Sequence, residues 1–93
     1  MKIEQHDEGR KGFFQALIDE KQAGKMTYTW AGKSKFIIDH TEVDPDFKGN
    51  GVGKKMVQAA VDFAKENKLK VIPLCPFAKK IIEKTPEFQE VLA

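Results

Sequence analysis

Between Val43 and Val52 the chain changes its periodicity from that of strands to that of a helix, passing through Asp44-Pro45-Asp46 and the alternating glycines Gly49, Gly51 and Gly53. Few features constrain a fold more, because side chains alternate every two residues along a strand and return every 3.6 along a helix. Before the switch, Met26-Thr27-Tyr28-Thr29-Trp30 alternates strictly and predicts a strand with Met26, Tyr28 and Trp30 on one face. Residues 35–43, rich in β-branched and aromatic side chains, predict another strand; residues 2–5 predict an edge strand and 13–18 a further one. Turn chemistry falls at 8–12, 23–25 and 32–34. After the switch, Val52, Met56, Ala59, Ala60, Phe63 and Ala64 form an apolar stripe opposite Lys54, Lys55, Gln58, Asp62, Lys65 and Glu66, which predicts a helix of roughly four turns. Residues 71–74 then return as a strand, Pro76 opens a short amphipathic helix and Pro86 a last helical turn. A strand, a crossover helix and a second strand imply a parallel pair. The expected fold is therefore α/β, a mixed sheet in which an antiparallel meander leads into a parallel β-α-β unit with short C-terminal helices.

With 93 residues, 41% of them hydrophobic and 32% charged, the chain fills one core, so residues 1–93 are expected to form a single domain. Its formal charge of +2 comes from basic residues spread without a run, which argues against a nucleic-acid partner. The apolar stretches are short and the N-terminal segment has no apolar core of the signal-peptide kind, so no membrane association and a cytoplasmic location are expected, as a monomer or weak dimer. The single cysteine, Cys75, forms no internal disulfide, and with only His6 and His40 beside it no metal site is expected.

The residues richest in chemistry lie at the switch itself. Lys48-Gly49-Asn50-Gly51-Val52-Gly53 sits between a strand end and a helix start, where backbone amides lack partners and anions such as phosphate bind. Glycines let the main chain approach an anion closely, and Lys54 and Lys55 add charge. Two better-known phosphate loops do not fit. A nucleotide P-loop needs a glycine at position 48 and Ser or Thr at position 55, where this chain has Lys48 and Lys55; a dinucleotide fingerprint needs a third glycine at position 54, which is Lys54.

The segment instead resembles the pyrophosphate loop of the GNAT acetyltransferases, which reads Arg or Gln, two residues, Gly, one residue, then Gly or Ala; here Lys48 stands in the first position. From Ile38-Asp39-His40-Thr41-Glu42-Val43 through the loop to Cys75, the chain is similar to the minimal, single-cysteine branch of that superfamily. The resemblance implies an acetyl-CoA-dependent N-acetyltransferase with an amine acceptor that the sequence does not identify. It places the cofactor pyrophosphate on the amides of Lys48, Gly49, Asn50, Gly51, Val52, Gly53 and Lys54. The pantetheine arm would run along the backbone of Thr41, Glu42 and Val43, as an added strand would. Phe77 and Lys80, on the helix after Cys75, are expected on the cofactor side. The thioester would enter a gap between the strand ending at Val43 and the one ending at Leu74, where Pro73 cannot complete a ladder.

Three residues are candidates for catalysis. Cys75 is expected at a strand's carboxyl end and a helix entry, which favours the thiolate; it would accept an acetyl group, protonate departing CoA thiolate or border the thioester, against the plain alternative of a small buried apolar residue. His40 and Glu42 are two residues apart and are expected to share a face with Phe36 and Ile38. If that face meets the thioester gap, His40 would act as general base, directly or through a water, and Glu42 would orient it or receive the amine, unless both are structural. Larger superfamily members often place a tyrosine acid after the last catalytic strand, and here the sequence reads Pro76-Phe77-Ala78. The only tyrosine, Tyr28, is expected to pack within the meander. A non-catalytic CoA-binding module and a protein-interaction domain in which the loop only caps the helix remain alternatives.

Overall fold

A computed structural model describes Met1–Ala93. Five strands lie in sequence order in one sheet: β1 (Lys2–Asp7), β2 (Lys11–Ile18), β3 (Lys21–Trp30), β4 (Lys35–Val43) and β5 (Lys70–Pro73). The first four pair antiparallel and β4 pairs with β5 in parallel. Between them run a 3-10 turn at Pro45–Phe47 and helix α1 (Val52–Glu66); α2 (Pro76–Lys84) and a 3-10 segment at Pro86–Val91 follow β5. The expected α/β class, meander and parallel unit are all present. No helix is long and apolar enough to cross a membrane.

The helices cover one face of the sheet. Met26, Tyr28, Phe36 and Ile38 from the strands meet Val52, Met56, Val57, Ala60, Val61 and Ala64 of α1, with Ala78 and Ile82 of α2 closing the same cluster. Tyr28 and Trp30 belong to this packed face, their rings tilted against Phe36. Tyr28 reaches across Gly12 of β2, where any Cβ would collide with the phenol, and its hydroxyl donates to Asp7 Oδ2 on β1 at 2.6 Å. Trp30 Nε1 donates to the same oxygen at 2.8 Å. Burial, then the Asp7 carboxylate, push the Tyr28 hydroxyl up to about 12, and the bond from Tyr28 holds the Asp7 carboxyl below its usual range.

Two local expectations are corrected. Residues 23–25 are not a turn but lie inside β3; the β2–β3 turn is made by Asp19 and Glu20, both at positive φ. Gly24 serves packing, since a Cβ there would come within 2.8 Å of the side chains of Met56 and Val52. The second correction concerns β4. Thr27 pairs with His40 but Tyr28 with Ile38, so Asp39 is an extra residue, a β-bulge. Across it the alternation reverses: Phe36 and Ile38 face the helices before the bulge, and Thr41 and Val43, opposite Met26 and Gly24, face them after it. His40 and Glu42 therefore lie on the opposite, helix-free face and do not share one with Phe36 and Ile38.

Candidate functional site

The loop at the switch owes its shape to its glycines. Gly49 and Gly51 have φ of 86° and 71°, in the left-handed region that side chains resist. Gly53 is constrained by space, because a Cβ there would collide with the ring of Phe77. Gly51 is the N-cap of α1 and offers no side-chain cap, and the first turn contains no acidic residue. The amides of Gly49, Gly51, Val52, Gly53 and Lys54 consequently have no acceptor within the protein; the first helical bond of α1 is from Lys55 to Gly51. They surround a cavity of about 410 Å³ whose walls include Val43, Phe47, Lys48, Phe77 and Ile81. Unpaired donors at a helix N-terminus, Lys48 and Lys54 beside them and an apolar wall opposite suit a ligand with anionic and apolar parts.

From this cavity the open edge of β4 leads toward β5. Parallel pairing stops at Ile38 with Pro73, and beyond it the Ile38 carbonyl accepts from both Leu74 and Cys75 amides, each at 3.1 Å. The Asp44 amide donates back to Ala23 of β3. By strand alternation the backbone groups of Thr41 and Val43 then point the other way, into the widening gap. The gap that Pro73 was expected to leave is thus present.

Cys75 stands where the gap begins, as the N-cap of α2, 4% exposed. Its thiol donates across the gap to Thr41 Oγ1 at 3.4 Å. Burial pushes the thiol up, but the Thr41 hydroxyl and the backbone amides of Ala78, Phe77 and Thr41 outweigh it and hold Cys75 below the usual thiol value. His40 Nε2 and Glu42 Oε1 are 3.0 Å apart, both side chains largely exposed. Thr41 and Cys75 therefore border the gap from the helix side, and the His40–Glu42 pair borders it from the helix-free side. Neither His40 nor Glu42 touches Cys75. Thr41, Val43, Lys48, Gly49, Gly51, Val52, Gly53, Lys54 and Phe77 all lie at the gap or the cavity, whereas Asn50 and Lys80 are exposed and outside its walls. Phe47 and Ile81 were not anticipated; they reach the cavity from the 3-10 turn before the loop and from the second turn of α2. The positive signal for Ile81 was its place one helical turn after Phe77. No cluster of three His, Cys, Asp or Glu side chains is arranged to hold a metal ion.

Residues 13–91 match the family described as GCN5-related N-acetyl-transferase. Protein NATD1 of Xenopus tropicalis is 32% identical over 82 residues, covering 88% of this chain and 75% of that protein. A GCN5-like protein from Staphylococcus aureus, solved in solution, superposes with a TM-score of 0.73 at 35% identity over 99% of this chain and 87% of its own. A Clostridium acetobutylicum chain solved with acetyl-CoA shares the fold, with a TM-score of 0.63 at 16% identity over 80% of this chain and 55% of its own.

Proposed function

The chain belongs to the GCN5-related N-acetyltransferase family, and on that premise we propose that it transfers the acetyl group of acetyl-CoA to an amine. The observation that carries the reading is continuity: the unpaired amides of Gly49, Gly51, Val52, Gly53 and Lys54 lead through an apolar cavity into the open edge of β4, and that edge ends at Cys75. The pyrophosphate would take the loop amides with Lys48 and Lys54, and the pantetheine amides would bond the Thr41 carbonyl and the backbone of Val43. The family use of acetyl-CoA, and its presence in the Clostridium acetobutylicum relative, support that assignment.

The chemistry then divides across the split sheet. The amine nitrogen attacks the thioester carbonyl, and the Thr41 amide, which already faces the Cys75 sulfur, is placed to stabilise the oxyanion. His40, oriented by Glu42, takes the proton that the amine loses. As the carbon–sulfur bond breaks, Cys75 gives its proton to the CoA thiolate, a role its lowered pKa favours. The expected signature is a shift of the Gly49, Gly51 and Gly53 amide resonances on CoA addition, and far less on ATP at matched ionic strength. An unchanged spectrum removes the reading. Release of free CoA thiol across amine classes tests turnover.

A further inference from the structure

On the helix-free face of the sheet, beside the bulge, lies a second cavity of about 370 Å³. Its floor is Thr27 and Thr29 of β3, one wall holds Asp39 of β4, and the other holds Phe13 and Lys11 of β2, with Lys25 leaning in. Asp39 keeps the helix-free face of Ile37 two residues before it, and its Oδ2 accepts from Thr29 Oγ1 at 2.6 Å; the bulge brings His40 onto the same face. Asp39 is also the first residue of β4 beyond the last pair with β5, so its backbone stands at the root of the gap while its carboxylate, turned to Thr29 of β3, lies in the wall of the cavity. Lys25 Nζ sits over the Phe13 ring, 4.4 Å from its centre, and thus leans away from β4 toward the wall that carries Lys11. None of Asp39, Lys11 and Lys25 takes part in an ion pair, and neither does Glu8, which stands at the rim on the β1–β2 turn.

The charges are therefore spread across the cavity: Asp39 on the strand that borders the gap, two ammonium groups on the far side with Glu8 at their rim, and between them hydroxyls and an aromatic ring. The geometry points to this cavity as the acceptor site, taking a small zwitterion whose amine rests on Asp39 and whose carboxylate lies between Lys11 and Lys25. A simple alkylamine leaves both lysines unanswered, and a diamine puts its second cation against them. His40, opposite Thr27 on the same face, is the neighbouring base for the bound ammonium. The inference rests on the acetyl-transfer reading and names the substrate class for it.

The test follows backbone amide resonances of the CoA-saturated protein while ω-amino acids of two to five carbons are added, each beside the amine and the acid of the same length. At least one amino acid is expected to move Thr27, Thr29 and Asp39 at lower concentration than its amine or acid. Asp39→Asn and Lys25→Gln are each expected to weaken that amino acid by about fivefold, and Lys25→Gln to leave the simple amine unchanged. Equal or stronger response to the amine, or no response at these positions to any of the three classes, overturns the proposal. Because Gly49, Gly51 and Gly53 report CoA separately, shifts there without shifts in the cavity reject the acceptor site alone. Absence of the loop shifts rejects the transferase reading and the acceptor site with it.

Discussion

The sheet is built differently on its two sides. From β1 to β4 the strands pair from end to end apart from bulges at Ala23 and Asp39, and α1 packs over the middle, with Tyr28 tying three strands through Asp7 and across Gly12. Between β4 and β5 pairing stops after four residue pairs, and the loop that follows β4 leaves five amides without partners. Burial and hydrogen bonding agree on the first side, and that side holds the fold together. On the second they part: amides and a strand edge are held open by glycines and by the short reach of β5, at a cost in stability that the paired side makes tolerable.

Substitutions can break this contrast, and the largest effect is expected in the paired half. Phe36→Ala removes a fully buried ring among Tyr28, Trp30 and Phe63 and should lower the unfolding free energy by about 3–5 kcal/mol in urea titration. Cys75→Ala, at the split, should cost only about 1 kcal/mol of stability but reduce turnover about a hundredfold at unchanged CoA affinity. Wild-type turnover should fall as pH rises past the lowered thiol pKa, because the acid is then spent; a rise would make Cys75 a nucleophile instead. If Cys75→Ala unfolds the protein and Phe36→Ala does not, the division of labour is wrong.

Tyr28 sharpens the comparison through pH. Its pKa in the folded protein, about 12, lies above the ordinary phenol value of 10, so its contribution is fully present below pH 10 and is lost as pH climbs toward 12. Tyr28→Phe should remove that alkaline slope and cost about 1–2 kcal/mol at neutral pH through the hydrogen bond it loses to Asp7. Gly51→Ala should cost about 1 kcal/mol for its left-handed φ and weaken CoA, as seen in calorimetric titration. The smallest expected change is in Lys48→Gln, an exposed charge: about threefold in CoA affinity, and less at high salt.

Much of this contrast was legible in the sequence. The strict alternation of residues 26–30, the apolar stripe from Val52 and the glycines between the two gave the meander, the crossover and the loop. The β2–β3 turn was misplaced because Asp19 and Glu20 adopt positive φ without glycine, while Gly24, the residue that looked like a turn, sits in a strand so that α1 can approach. The bulge was missed although its trace is present: the less polar positions of β4 change from even numbers, Phe36 and Ile38, to odd ones, Thr41 and Val43. A single period imposed on the whole strand hid that change and put His40 and Glu42 on the wrong face. Phe47 and Ile81 come together only in three dimensions, and the one trace in the sequence is the place of Ile81 a helical turn after Phe77.

The Ile38 carbonyl, which receives both the Leu74 and the Cys75 amide, acts as a stop at the root of the cleft. An arm laid against Thr41 and Val43 advances to that oxygen and meets closed strands, with the buried thiol on one flank. If the proposed transfer holds, this one shared acceptor is expected to restrict the acyl chain handed over to a short one.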